Sequence, residues 1–305
     1  MNSLTLRKLE YEKIIEMLAA ECSSGLGRQL AEQLQPVTDS EQISNWQRET
    51  SEGVTVRRLE PNIPLGGLAD VSRQIRKAQI GGMLEPEEFL QLLDVLKACR
   101  RIAHFFLERK KNYEIPRLEW WANQLTLLPE LEQAVDDVIA PEAAVRDTAS
   151  TELLTVRRKI NTLKNRIKER LEHIVRSESS QKYLQDALVT IRNDRYVVPV
   201  KQEYRSQIPG IVHDQSASGA TLFIEPMAVV EMNNDLRKAY SAERDEVNRI
   251  LLELSSKITP YSEDLQYNLQ VLAQIDLIFA KARLSEKMNA VEPVLKTTPQ
   301  LSIVK

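Results

Sequence analysis

The chain has 305 residues, 42% of them hydrophobic, and a formal net charge of -3, which is enough apolar material for one large or two moderate packed units. No early apolar run has the form of a signal peptide and no stretch approaches eighteen consecutive apolar residues, so a cytoplasmic protein with no membrane partner is expected. Cys22 and Cys99 stand too far apart for a metal or redox motif and are expected as reduced core residues, while 5% aromatics, 9 glycines and abundant Leu, Glu, Lys, Arg, Gln and Ala predict a mainly α fold.

In chain order, apolar residues at helical spacing predict one helix over Ser3–Ala20 and a second over Leu26–Leu34 that stops before Pro36. Asp39 and its neighbours offer caps for a third beginning near Glu41. A break follows over Pro61–Gly67, then a short helix from Asp70 or Ser72 to Gly81-Gly82 and a long one opened by Pro86. Lys110–Pro116 reads as a loop, and Trp120 and Trp121 fall in a brief helix. Residues 1–148 are thus expected to form a helical body.

From Thr151 the pattern changes to an arm. Leu153, Val156, Ile160, Leu163, Ile167, Leu171 and Ile174 alternate steps of three and four, the seam of a coiled coil. Val229, Met232, Leu236, Ala239, Tyr240, Val247, Ile250, Leu254 and Ile258 answer it on a return segment, interrupted by Glu243. Between them lie short β-branched runs, Leu188–Arg192, Tyr196–Val200, Gly210–His213 and Ala220–Ile224, separated by turn residues. The expected architecture is a clamp-like arm over 149–258, with antiparallel stalk helices at about 151–183 and 229–258 and a β tip at about 187–226. The chain then returns to the helical body over 259–292, and 293–305 reads as a linker ending in a strand that starts at Leu301. Pro199, lacking a backbone donor, is expected on an edge strand.

Chemistry-bearing motifs are sparse. His104, His173 and His213 share no ligand spacing with a Cys or carboxylate, and no glycine-rich loop ending in Lys-Ser or Lys-Thr is present, so neither a metal nor a bound nucleotide is expected within this stretch. His213, Asp214 and Ser216 supply the residue types of a nucleophilic triad, but neighbours on one strand rarely converge.

Charge is uneven. Residues 150–176 carry eight bases against three acids, about +5. One reading is a solvated helix face whose cations pair across the two stalk helices, Arg166 with Glu246 and Lys159 with Glu253. The other is a surface that tracks phosphates, extended at the tip by Arg192, Arg195, Lys201 and Arg205.

At the tip the sequence becomes specific. Ile191-Arg-Asn-Asp-Arg-Tyr-Val-Val-Pro-Val200, then Gly210-Ile-Val-His-Asp-Gln-Ser-Ala-Ser-Gly-Ala-Thr-Leu-Phe-Ile-Glu-Pro226 and Asn233-Asn234, closely resemble the MutS family in its second bacterial branch. Gly25-Leu-Gly27, Gly81-Gly-Met-Leu84 and Ala282-Arg-Leu-Ser-Glu-Lys-Met288 are similar to helical lever segments of that branch. The resemblance implies a lever or core domain interrupted by a clamp whose positions facing nucleic acid would be Lys159, Arg166, Arg170, Arg192, Arg195, Lys201 and Arg205. It implies binding of branched or duplex DNA, or of ribosomal RNA on collided ribosomes, suppression of homologous recombination, and a homodimer in the intact protein. ATP, magnesium and endonuclease activity are expected in domains that follow in the family, so this stretch by itself is expected to be no enzyme. A rival expectation is an arm that meets a second clamp or ribosomal proteins without touching nucleic acid; a third is nuclease activity in the stretch itself.

Overall fold

The computed structural model describes residues 3–60, 62–109 and 112–295. Of the break expected over Pro61–Gly67 only Pro61 lies outside these residues, and 62–67 are non-helical; the loop start at Lys110, the strand expected from Leu301 and most of the expected linker also lie outside them. The chain divides into two compact units, Met1–Ala144 with Leu251–Lys305, and Val145–Ile250. The described residues are mainly helical, with one small antiparallel sheet of four strands, in agreement with the fold class expected from composition.

In the first unit the chain runs through α1 (Ser3–Lys8), α2 (Tyr11–Ala20), α3 (Gly25–Glu32), α4 (Ser40–Leu59), α5 (Ser72–Gln79), α6 (Pro86–Arg109), α7 (Pro116–Asn123) and α8 (Pro129–Val138). The second unit follows with α9 (Thr151–Arg176), the single turn α10 (Glu178–Gln181), β1 (Thr190–Arg192), β2 (Arg195–Lys201), β3 (Gly210–Gln215), β4 (Thr221–Pro226) and α11 (Met227–Ser256), whose residues from Leu251 belong to the first unit. The first unit is completed by α12 (Ser262–Lys287).

Local chemistry sets these boundaries. The Asp39 carboxylate accepts from the Gln42 amide at 2.9 Å and caps α4, and Ser24 Oγ accepts from the Gly27 amide at 3.0 Å and caps α3. Pro86, Pro116 and Pro129 open their helices, where a missing N–H costs nothing. The single helix predicted over Ser3–Ala20 is instead two, because Glu10 adopts a left-handed backbone at φ 52°. Leu4 and Leu9 are exposed there, so no packing holds one straight rod across the break.

The core of the first unit is built on α12, which packs against α3 and α4 and buries Leu265, Leu269, Leu272, Ile275, Ile278 and Phe279. Two polar groups on this helix are fully buried and fully partnered. Asn268 bonds the amide and carbonyl of Thr126 at 2.9 and 2.8 Å. Asp276 accepts from the amides of Ser23 and Ser24, from Ser24 Oγ at 2.7 Å and from Arg283. Gly27 makes room for that carboxylate: a Cβ there would stand 2.3 Å from Asp276 Oδ2. Cys99 is buried and Cys22 half-buried, both reduced, and burial pushes each thiol up to about 12. Among the described residues no helix is long and apolar enough to cross a membrane.

In the second unit, Leu153, Ile160, Leu163, Ile167 and Leu171 on α9 are buried, and from Ile160 onward they share one core with Val198, Val200, Leu222 and Ile224 of the sheet and Val229, Leu236 and Ala239 of α11. The sheet order is β1-β2-β4-β3, all antiparallel, with Val198 opposite Ile224. Asn193 and Asp194, at φ 50° and 60°, form the two-residue turn between β1 and β2, the left-handed pair that matches strand twist in a tight hairpin. Pro199 is not on a free edge as expected: beyond the short β1, the segment Tyr183–Gln185 covers that side of β2, with the Gln185 amide donating to the Pro199 carbonyl at 2.9 Å. The outgoing helix also ends earlier than the predicted 183, since Ser177 turns extended at ψ 125° before α10.

Candidate nucleic-acid interface

The second unit holds all seven cationic positions singled out in the sequence, and the structure sorts them into two kinds. Lys159, Arg166 and Arg170 are exposed on α9 and have no ion pair or side-chain hydrogen bond among the described residues. Spaced seven and four apart, they fall on one face of the helix, and His173 continues that face. Glu169, three residues after Arg166 and four before His173, lies at the edge of this face, while Glu172 lies further around the helix and pairs with Arg176 at 3.0 Å.

Of the four tip cations only Arg195 is committed inward. Arg195 donates from Nη1 to Glu225 Oε1 at 2.9 Å and from Nη2 to Asn234 Oδ1 at 2.7 Å. Glu225 has no solvent exposure and also accepts from Asn233 Nδ2 at 2.7 Å, while His213 Nε2 sits 2.6 Å from its second oxygen. Asn233 in turn bonds the backbone of Tyr196 through both amide atoms. This polar knot ties β2, β3, β4 and α11 together. A bulge in β3 between Val212 and Asp214 aims His213 at it, and Gly210 permits the close approach of β3 to β4, since a Cβ there would lie 2.2 Å from the Glu225 carbonyl.

Arg192 lies over the Phe223 ring at 4.2 Å and pairs with Asp214 at 3.3 Å. Lys201 donates to the Lys182 carbonyl at 3.3 Å, and Arg205 is exposed with no partner among the described residues. The candidate triad does not assemble: His213 meets Glu225, Asp214 meets Arg192, and Ser216 Oγ accepts from the Thr221 amide. Among the described residues no group of His, Cys, Asp and Glu is arranged to hold a metal ion.

Facing side chains of α9 and α11 meet in a different register from the expected one. Arg157 bonds Glu243 at 2.7 Å and also Asp147; although partial burial works against its charge, these hydrogen bonds raise its pKa. Lys164 lies 5.2 Å from the centre of the Tyr240 ring, and its pKa is raised by a hydrogen bond with the Tyr240 hydroxyl. Glu246, expected on Arg166, instead takes Arg249 of its own helix at 2.7 Å and Ser150 Oγ at 2.7 Å. Relative to the expected pairing, Lys164 meets α11 eight residues earlier, a slide of about 12 Å at 1.5 Å per residue. That slide is why Arg166 is left free to face solvent.

Sequence reasoning passed over Arg237 and Arg244, exposed on α11 without partners among the described residues. The available signal was their spacing around Tyr240-Ser241, three and four residues to either side, which places all four on one helix face.

No family model matches the chain. Over 303 residues, 99% of this chain, it is 46% identical to Endonuclease MutS2 of Alkaliphilus oremlandii (strain OhILAs). Over 296 residues, 97% of this chain, it is 48% identical to Endonuclease MutS2 of Pelotomaculum thermopropionicum, and over 297 residues 46% identical to that of Geobacillus sp. (strain WCH70). In each case the chain spans 38% of the relative's length. With identity of this order sustained across nearly all of its residues, the chain belongs to the MutS2 branch of the MutS family.

Proposed function

We propose that the second unit, Val145–Ile250, grips nucleic-acid backbone without reading sequence, acting as the clamp of a longer MutS2-type protein, with the helical unit as its lever. The observation that carries this reading is the row of Lys159, Arg166 and Arg170, three exposed cations on one helix face with no intramolecular partner among the described residues. Elsewhere in the unit Arg157, Arg176, Arg192, Arg195 and Arg249 are matched by carboxylates. Unmatched cations in a row suit a phosphate backbone, which offers repeated charge and no base code.

In the longer protein this grip would serve branched or duplex DNA or ribosomal RNA on collided ribosomes. ATP-driven closure, magnesium and nucleolytic cleavage would then be supplied by the remainder of a homodimer. A second reading is favoured by Leu188, Ile191, Ile211 and Met227, large apolar side chains that are exposed in the second unit and would suit a protein partner.

Binding of fluorescent duplex DNA and of rRNA fragments at a series of salt concentrations separates the two. About five phosphate contacts give a log–log salt slope near -4.5 on duplex DNA, and replacing Lys159, Arg166 and Arg170 by Gln reduces its magnitude by about 2.7. Absence of binding at low salt, or an unchanged slope in the triple variant, overturns the nucleic-acid reading.

A further inference from the structure

Arg237, Tyr240, Ser241 and Arg244 share one face of α11 and, with Asp194, Ile191, Tyr196 and Leu236, line a cleft of about 590 Å³ beside the β1–β2 hairpin. That volume lies within the range of sites built for small organic ligands, about 300–1,000 Å³, and well above what a lone phosphate needs. The lining combines three chemistries. Arg237 and Arg244 are guanidinium groups with no carboxylate or other partner among the described residues. The Tyr240 ring and the Ile191 side chain are 40% and 51% exposed, flat or apolar surface available to a ligand. The Ser241 hydroxyl and the Asp194 carboxylate add a donor and acceptors.

We infer that this cleft receives one unstacked nucleotide of a single-stranded or branched nucleic acid. This rests on the nucleic-acid reading of the same unit and adds to it a preference for a base that has left its stack. The two arginines, one heptad apart and so about 10 Å along the helix, take the phosphates on either side of the nucleotide. The base lies against Tyr240 and Ile191, and Ser241 and Asp194 meet its sugar or its edge. A base stacked inside a perfect duplex cannot enter, because its faces are already covered by its neighbours. Lys164 Nζ stands 5.2 Å from the centre of the Tyr240 ring.

The test is fluorescence anisotropy with the protein and four labelled probes, a perfect duplex and the same duplex with one bulged nucleotide, each in DNA and in RNA. The wild type is expected to bind the bulged probes about tenfold more tightly than the perfect ones, within what one stacked base contributes. Arg237→Gln with Arg244→Gln, and separately Tyr240→Leu, are expected to abolish that preference while duplex affinity stays within about twofold. Comparable thermal unfolding of the variants and wild type shows that the unit is intact. Equal affinity for bulged and perfect probes in the wild type, or a preference that survives both variants, overturns the inference while duplex binding that depends on Lys159, Arg166 and Arg170 leaves the clamp reading standing. No binding to any probe at low salt overturns both.

Discussion

Arg195 and Glu225 face each other across β2 and β4 at 2.9 Å, and the carboxylate is wholly excluded from solvent while His213 and Asn233 take its remaining lone pairs. A buried carboxylate is tolerable only when its charge is matched and its oxygens are bonded, and here both conditions are met by residues from two other strands and a helix. Glu225 therefore organises the fold of the tip, and Arg195 belongs to that structure before it can belong to any ligand site.

Glu225→Ala is expected to destabilise the second unit by about 3–5 kcal/mol, because it strands the Arg195 guanidinium in a desolvated position. Glu225→Gln, which keeps volume and one acceptor, is expected to cost less. Urea unfolding followed by circular dichroism measures both; a loss below about 1 kcal/mol for the alanine variant would show that Arg195 finds solvent or another partner. For the same reason Arg195→Glu is a poor probe of nucleic-acid contact.

The Glu246 carboxyl is held at about 2 by hydrogen bonds from Arg249 and Ser150. A folded-state value below the ordinary 4.5 means that its stabilisation is complete above about pH 4.5 and is lost as pH falls toward 2. Glu246→Gln should therefore be less stable than wild type near neutrality, by about 1–2 kcal/mol, with the gap closing between pH 4.5 and 2. Chemical denaturation at stepped pH checks this, and a gap that stays constant down to pH 2 contradicts it.

Gly27 and Gly25 make a matched pair in α3. An added Cβ at Gly27 would meet Asp276 at 2.3 Å, whereas at Gly25 nothing lies within 4 Å. Gly27→Ala should cost about 1–3 kcal/mol by displacing a carboxylate that receives four hydrogen-bond donors, and Gly25→Ala should be nearly neutral. Equal melting temperatures for the two variants would mean that α12 shifts freely away from α3.

Whatever depends on neighbours in sequence was legible before any coordinates. The spacing of Leu153, Ile160, Leu163 and Ile167 marked a helix with one buried stripe, Asp39 and Pro86 marked helix starts, and the β-branched runs around Val198 and Ile224 marked strands. These are consequences of helical and extended geometry acting over a few residues. The concentration of base over acid in residues 150–176 was equally plain.

Long-range packing decided the rest. Periodicity states which side of a helix is buried but not how far it slides along its neighbour, so Glu246 went to Arg249 and Ser150 while Arg166 was left to solvent. A residue's charge says nothing of whether it points inward: Arg195 and Arg205 look alike in sequence, yet only one sits beside a buried carboxylate. The sequence by itself determined the helical class, the two stripes on α9 and α11, and the small sheet between them. Only the tertiary structure separated cations that hold the fold together from those free to meet a ligand, because a charge's partner is set by distance across the fold and by desolvation, neither of which is a property of neighbouring residues in the chain.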